Sequence, residues 1–432
     1  MAEKTSGQRA HDLAKRLWPI NRSLTGLGVV ETLEILAETL PDLRLHRVPT
    51  GAGVFDWTVP KEWVVNEAYI EAPNGARICE FARNNLHLVG YSQAVDATMS
   101  LDALQPHLHS LPDQPDAIPY VTSYYGQNWG FCLADAQRSQ LPDGDYRVRI
   151  DCAHFDGHLT YADLVIPGES DEEILFSTYI CHPSMANNEL SGPVVAEALA
   201  QYVIGRDAHH YTYRFVFVPE TIGALTYLSA NLDALKARVR AGFVLTCVGD
   251  ERTWSYMPSR QGGTLADRAV QRACTELEIT PDTYSYLQRG SDERQYCAPG
   301  IDLPVCSLMR SKYGTFPEYH TSLDDLSFVT AKGLGDAIAA HTRIIDIIEA
   351  NQFPKILTLG EPQLGKRGLY SNLSKVGSAD NVAIMRNLIA YADGTQDLIA
   401  LADIFGCEVS DLAQNVAQLT QDGLMEARRV PC

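Results

Sequence analysis

The sequence predicts an α/β protein with a mixed sheet covered by helices on both faces, a β-rich insertion and a C-terminal winged helix. Three observations support this fold class. From residue 172 onward, buried strands alternate with helical segments, which is the rhythm of a largely parallel or mixed sheet. Residues 46–166 carry short alternating runs separated by turn signals, without helical crossovers. After residue 354, three short helical segments precede a strand-like run, which is the layout of a winged helix.

The elements of the main domain follow in order along the chain. Helices are predicted over 8–17 and 28–39, joined by a turn-rich connection with Ser and Thr available as caps. The strands are predicted at 173–181, 213–219, 242–249 and 303–309. The helices that follow them are predicted at 187–204, 220–232, 264–277 and 331–350. We therefore predict a main domain of residues 1–45 and 167–350, an inserted domain of 46–166 and a winged-helix domain of 354–432.

Composition excludes several classes of protein. With 35 Lys and Arg against 54 Asp and Glu, the 432-residue chain has a formal net charge of −19. This charge weighs against a nucleic-acid partner or an anionic membrane surface, because phosphate binding needs clustered cations. No apolar run approaches the ~18 residues of a membrane span, and the N-terminus has no apolar signal core. The ten cysteines occur singly, without a CxxC pair, so we expect free thiols in a reducing cytoplasm.

The winged helix raises the question of DNA binding. Residues 354–432 contain seven Lys and Arg against nine Asp and Glu, and the would-be recognition helix at 408–421 contains no Lys or Arg. Phosphate anchoring would be poor. We therefore expect a packing or dimerisation module, which leaves a homo-oligomer open.

Polar side chains follow three of the predicted strands where they end. His182 follows the first strand, and Asn188 and Glu189 open the next helix. Glu220 ends the second strand, and His320 lies on a loop between the last strand and the last helix. Because ligands of α/β sheets bind beyond the carboxyl ends of strands, we expect these side chains to share one crevice. The alternatives are a His packed at a strand end and ordinary helix capping, which is also the default role for Asp324 and Asp325.

Imidazole and carboxylate ligands, with another carboxylate as base, are what a catalytic zinc site needs. Zinc polarises a carbonyl group and lowers the pKa of bound water, and a nearby glutamate moves the proton.

With these segments in view, the chain resembles the zinc aminopeptidase superfamily with its phosphorylase/hydrolase-like α/β sheet. It looks most like a bacterial aminopeptidase-like family that has a β-rich insertion and a C-terminal winged helix. The resemblance is carried by RLWPINRSLTGLGVVETL, FDWTVPKEW, NLHLVGYS, PYVTSYY, WGFCL, STYICHPSMANNELSGPVV, FVPETIG, RGSDERQYCAPG and YHTSLDDL. It implies that the main domain is the aminopeptidase-like catalytic domain.

The resemblance also implies roles for individual residues. His182 matches the metal-binding His after the first strand, Glu220 matches the general base, and His320 matches the last metal-binding His. The acidic ligand positions of two-zinc aminopeptidases are neutral in this sequence. They fall on Asn188, on Thr221 and near Thr246.

Because a zinc pair would lack its neutralising carboxylates, we predict one zinc per chain. We expect His182, His320 and a carboxylate to hold it, with water at the fourth position. Glu189 is the first choice of carboxylate and Asp292 is the second.

The substrate side is less specific. We predict that Asn188, Asp292 and Arg294 bind the substrate, because the resemblance places the Ser-Asp pair before Arg294 beside the substrate in the related enzymes. Arg294 would clamp a carboxylate bidentately, unless it forms a surface ion pair with Asp292 or Glu293. The aromatic side chains Tyr120, Tyr124, Tyr125 and Trp129 either wall the cleft or form β core.

The leading hypothesis is a zinc-dependent hydrolase of an amide or peptide bond, aminopeptidase-like, with zinc-activated water and Glu220 as general base. Its substrate would be a small peptide or an N-acyl amino compound. The alternative is a non-catalytic binding protein or pseudoenzyme on a peptidase scaffold, which the loss of acidic ligands favours. A third hypothesis, a regulator that acts through the winged helix, conflicts with the charge count.

Overall fold

The computed structural model describes residues 4–369 and 378–430. The strands of these residues are β1 Arg44–Pro49, β2 Gly53–Val54, β3 Trp57–Thr58, β4 Glu62–Glu71, β5 Arg77–Ile78, β6 Val95–Ser100, β7 Leu108–His109, β8 Phe131–Cys132, β9 Asp145–Phe155, β10 His158–Ile166, β11 Glu173–Tyr179, β12 Thr212–Val218, β13 Val239–Val244, β14 Ser255–Met257, β15 Asp282–Thr283, β16 Val305–Met309, β17 Phe353–Ile356 and β18 Met425–Arg428.

The α-helices are α1 Ser6–Leu17, α2 Leu27–Ala37, α3 Leu101–Leu104, α4 Asp135–Arg138, α5 Ser191–Ile204, α6 Ile222–Arg238, α7 Leu265–Glu276, α8 Glu293–Tyr296, α9 Ala331–Ala350, α10 Ser378–Tyr391, α11 Leu398–Phe405 and α12 Val409–Gln421. A turn of π-helix, Ala186–Leu190, precedes α5. Among the described residues, no helix is long and apolar enough to cross a membrane.

The described chain divides into two compact units. The first contains the residues up to Ala266 together with Pro281–Ala339, and the second contains Asp267–Thr280 and the residues from Ala340 onward.

An eight-stranded mixed sheet organises the first unit, in the order β1-β10-β12-β11-β13-β16-β14-β15. The four strands β12, β11, β13 and β16 are parallel, so their carboxyl ends meet at one edge. Every residue of β11 and β12 is buried, as expected for strands covered on both faces. The Phe176 ring stacks between Phe215 and Phe243, with ring centroids 5.1 Å apart on each side.

The β-rich region contains a separate four-stranded antiparallel sheet, in the order β5-β4-β9-β6. The sequence analysis placed residues 159–166 with this region. In the structure they belong to β10, which pairs with β1 and β12 in the main sheet. Alternating apolar residues look the same in either sheet, because the pattern reports the buried face and not the partner strand.

The second unit contains α10, α11, α12 and the antiparallel pair of β17 and β18, as the winged-helix interpretation predicts. It also contains most of α7, whose Arg268 donates to the Asp397 carboxylate that caps α11.

The start of α5 lies tightly against the main sheet. A Cβ added at Gly192 would overlap the Thr178 hydroxyl and the carbonyl oxygen of Leu245. We expect Gly192→Ala to lower the free energy of unfolding of the first unit by about 1–3 kcal/mol, because extra volume in a packed interface forces the backbone to shift. Urea unfolding followed by tryptophan fluorescence measures this, since all five tryptophans lie before residue 266. Gly53→Ala is the control, because a Cβ there meets nothing within 4 Å. Equal stability of the two variants would contradict the prediction.

Candidate active site

His182 lies just beyond the end of β11 and is 4% exposed. Its ring Nδ1 lies 2.9 Å from Oε2 of Glu189, and its backbone N–H donates to the same oxygen. Its Nε2 lies 3.6 Å from Oε2 of Glu220. Burial alone lowers the pKa of His182, but the hydrogen bond and charge of Glu189, with the charge of Glu220, outweigh burial and raise it. One ring nitrogen is therefore fixed by Glu189, and the other faces Glu220.

Glu189 is held in turn by a buried arginine. Nε of Arg22 lies 3.3 Å from Oε1 of Glu189, and both side chains are fully buried. The guanidinium also donates to the carbonyl oxygens of His182 and Leu17. Arg22, Glu189 and His182 thus form a continuous polar chain, and Glu189 positions the imidazole from behind.

This arrangement corrects the predicted ligand set of His182, Glu189 and His320. A metal ion needs several ligand atoms close together. Among the described residues, one group of three has all its ligand atoms within 4.8 Å of one another, and it consists of Cys181, His182 and Glu189. His320 is outside that group. The group itself is a poor metal site, because burial keeps the pKa of the Cys181 thiol well above its usual range and Glu189 already pairs with the Arg22 cation. The sequence places Glu189 near His182, but it does not say which ring nitrogen the carboxylate meets.

His320 lies opposite His182, with ring centroids 5.7 Å apart. Its ring stacks on Tyr319, and burial, then the charge of His182, lowers its pKa to about 3. The imidazole is therefore neutral, as a metal ligand must be. The loop that carries it is pinned from the inserted region, because the Tyr120 N–H donates to the His320 carbonyl.

Glu220 follows β12, and burial raises the pKa of its carboxyl group. The next residue, Thr221, has φ 63° and ψ −77°, a conformation that β-branched residues rarely adopt. Its N–H donates to Oδ1 of Asp292, and its hydroxyl accepts from Arg294. Backbone strain held in place by such contacts is typical of active sites. The hydrogen bond to Oδ1 of Asp292 therefore holds the strained backbone in place beside Glu220.

The positions that the resemblance matches to acidic ligands form a neutral cluster. The Tyr179 hydroxyl lies 2.5 Å from Oδ1 of Asn188, to which it donates, and it also contacts the Thr246 hydroxyl. Burial holds the pKa of Tyr179 well above its usual range, so the phenol stays protonated. The Asn188 side chain therefore bonds to a neutral hydroxyl group, and the three side chains of this cluster are uncharged.

The π-helical turn that carries Asn188 and Glu189 is anchored from the His320 loop. Asp324 accepts hydrogen bonds from the N–H groups of Asn187 and Asn188, at 2.6 and 2.9 Å. The sequence predicts that Asp324 caps the helix that follows it in the chain, but Asp324 instead caps this turn, which lies far away in the sequence. π-Helical turns often occur at functional sites, and this one aligns the positioning carboxylate with His182.

The sequence analysis missed Arg22, Tyr179 and Asp250. Arg22 stood in a segment interpreted as a capped turn, and Tyr179 stood in a buried strand. Asp250, which follows β13, is fully buried and accepts hydrogen bonds from Asn187 and Ser311. Each is a polar residue in or next to an apolar segment, which is the signal that would have found them.

A pocket of about 430 Å³ opens at the site. Its walls combine the sheet edge with the inserted region. They are formed by Leu24, Trp57, Tyr120, Thr122, Tyr124, Tyr125, Cys181, His182, Glu220, Thr221, Ile222, Arg294, Gln295 and His320. Three of the four predicted aromatic residues line it, whereas Trp129 stacks on His107. The predicted substrate-binding residues Asn188 and Asp292 lie outside this lining, and Arg294 lies within it.

These features define an α/β protein of the aminopeptidase type. The chain belongs to the family described as "Domain of unknown function (DUF4910)", which matches residues 11–351, and residues 352–427 match a "winged helix-turn-helix" family. A Clostridium acetobutylicum protein named "Putative polysaccharide biosynthesis protein with aminopeptidase-like domain" is 42% identical over 407 residues, which are 93% of this chain and 92% of that protein.

Solved structures agree on the fold. The crystal structure of a "putative peptidase" from Clostridium acetobutylicum has a TM-score of 0.92 at 40% identity, covering 98% of this chain and 96% of that one. A zinc aminopeptidase from Bacillus subtilis has a TM-score of 0.58 at 12% identity, covering 80% and 95%. An aminopeptidase from an Aneurinibacillus strain has a TM-score of 0.51 at 12% identity, covering 79% and 93%. The aminopeptidase-like fold and the winged helix are thereby confirmed.

The Arg22–Glu189 pair gives a stability prediction. Arg22→Met leaves the Glu189 charge buried without its partner, so we expect a loss of about 3–5 kcal/mol in the free energy of unfolding. Adding Glu189→Gln removes that charge and should recover much of the loss. Urea unfolding followed by tryptophan fluorescence provides the measurement. The matched control is Arg16→Met, which breaks a solvent-exposed pair with Glu38 and should change stability much less than Arg22→Met. A single variant as stable as the control would refute the buried-pair assignment.

Proposed function

We propose that the protein is a hydrolase of amide bonds that works with one zinc ion per chain. The observation that carries the proposal is the placement of His182: its Nε2 faces the carboxylate of Glu220 across 3.6 Å, at the edge of a pocket that the neutral His320 also lines. The similarity in fold to zinc aminopeptidases supports zinc-dependent hydrolysis of an amide bond. The residues of this site then decide how many zinc ions it can bind.

The donor chemistry of the site fits one zinc ion and not two. His182 and His320 supply two imidazoles. Asp292 Oδ2 is buried without a hydrogen-bond partner among the described residues, so it is our candidate for the third donor. A second ion would need carboxylates where the Tyr179 hydroxyl bonds to Asn188 and Thr246, and uncharged groups there leave its charge uncompensated.

A bound zinc would polarise the amide carbonyl and lower the pKa of a water molecule. The role of Glu220 follows from its position and its raised pKa, which suit a group that both accepts and returns a proton. It takes a proton from water as the new C–O bond forms, and it delivers a proton to the leaving nitrogen as the C–N bond breaks. The products are a carboxylic acid and an amine. Glu189 and Arg22 keep the imidazole of His182 oriented throughout.

A second candidate function is non-catalytic binding on a peptidase scaffold. The observation that favours it is the donor set: among the described residues, His182 and His320 do not belong together to a group of three ligand residues whose atoms all lie within 4.8 Å of one another. The name of the Clostridium relative supports a ligand from polysaccharide synthesis, such as an amino sugar carrying an amide, for either function.

Metal content separates the two functions. We expect about one zinc per chain in purified, untagged protein, measured by plasma emission spectrometry. His320→Ala and Asp292→Asn should lose the metal, whereas Glu220→Gln should keep it and lose activity toward amide substrates. The exposed His158→Ala is the matched control and should keep the metal. No zinc in any variant, even after zinc is supplied, would leave the binding function. Two zinc ions per chain would contradict the role of the neutral cluster.

A further inference from the structure

The charged side chains in the pocket lining influence whether an amide with a charged amine can bind there. Among the described lining residues, the carboxylate is that of Glu220 and the guanidinium is that of Arg294. The peptide substrates of an aminopeptidase carry a free N-terminal ammonium group beside the scissile bond. A buried ammonium needs a carboxylate or several acceptors to replace its hydration.

The other carboxylates of the site are already committed. Glu189 binds His182 and Arg22 from behind. Oδ1 of Asp292 accepts from the Thr221 N–H, and its Oδ2 is the proposed zinc donor. Oδ1 of Asn188 accepts from the Tyr179 hydroxyl. These contacts leave Glu220, which the reaction uses, as the remaining carboxylate that reaches the pocket.

Arg294 makes this environment unfavourable for a cation. Its Nη2 donates to the Thr221 hydroxyl at 2.5 Å, which places the guanidinium one residue from Glu220. Its Nε is buried without a hydrogen-bond partner among the described residues. An unused N–H of a guanidinium calls for an acceptor, such as a carbonyl or carboxylate oxygen. A substrate ammonium offers none and adds like-charge repulsion.

Part of the pocket wall is aromatic. Trp57 and Tyr125 form an edge-to-face pair with ring centroids 5.8 Å apart, and both are exposed at 41% and 58%. The hydroxyls of Tyr120 and Tyr124 bond to each other. Aromatic rings attract a solvent-exposed cation only weakly. The rings can pack against the flat, uncharged amide of an acylated amine, which suits them better than an ammonium group does.

We propose that the pocket selects amides whose neighbouring amine is acylated, and that Arg294 sets this selectivity against free N-terminal ammonium groups. The inference rests on the proposed function for its reaction, but binding tests it separately.

The test compares L-leucinamide with N-acetyl-L-leucinamide, which differ in the blocked amine. Binding to the full-chain protein is measured by saturation-transfer NMR and calorimetry. The wild type is tested without zinc and Glu220→Gln is tested with and without added zinc, because Glu220 is itself a carboxylate that could bind the ammonium group. We expect the acetylated compound to bind at least about tenfold more tightly, because it avoids the like charge of Arg294. Tighter or equal binding of L-leucinamide would overturn the inference, and so would binding of neither compound at millimolar concentration.

Variants of the arginine assign the effect. Added to Glu220→Gln, Arg294→Gln should bring the two affinities close together, while Arg294→Lys keeps the positive charge and should keep the preference. Arg289→Gln is the matched control, because Arg289 is exposed and packs on Tyr286 outside the pocket lining. A preference that survives Arg294→Gln would refute the role of Arg294.

Turnover distinguishes this inference from the proposed function. Zinc-supplied wild-type protein that binds the acetylated compound preferentially but hydrolyses no amide would keep the inference and refute the hydrolase. Preferential hydrolysis of L-leucinamide would support the hydrolase and overturn the inference.

Discussion

The buried ion pair of Arg22 and Glu189 is the contact on which the rest of the site depends. Two charges removed from water are tolerated when each has a partner and further hydrogen bonds, and both conditions hold here. The pair joins the turn before α2 to the end of β11 and the π-helical turn before α5, two neighbouring segments that are distant from that turn in the sequence. These contacts fix the orientation of His182, so the N-terminal segment that carries Arg22 is part of the site.

The cost of burying an unpaired charge also explains why Asn188 and Thr246 are both uncharged. Asn188 and Thr246 share the hydroxyl of Tyr179, whose hydrogen bonds satisfy all three polar groups without any ion. A carboxylate at either position would be buried against a phenol that stays protonated, and it would need a metal or a cation to balance it. The neutral residues at these positions therefore fit one another, because each bonds to the same uncharged hydroxyl group of Tyr179.

The strand ends could be predicted from the sequence because buried parallel strands read as continuous apolar runs, and the polar residue after each run marks the sheet edge. That reasoning placed His182, Glu220 and His320 correctly at one pocket. It failed for Glu189, because spacing along the chain cannot show which ring nitrogen a carboxylate meets. It failed for Arg22 because the partner that makes its burial tolerable lies 167 positions away.

The inserted region has two roles at this edge of the sheet. Its Tyr120 N–H fixes the loop of His320, and its aromatic side chains form part of the pocket wall. The groups proposed for proton transfer and metal binding come from the sheet, while the wall that meets the substrate comes largely from the insertion. Trp57 and Tyr125 pack on each other, so the shape of the pocket can change through them without disturbing the Arg22–Glu189–His182 chain. Tyr124 differs, because it bonds to Tyr120, whose ring packs against His182.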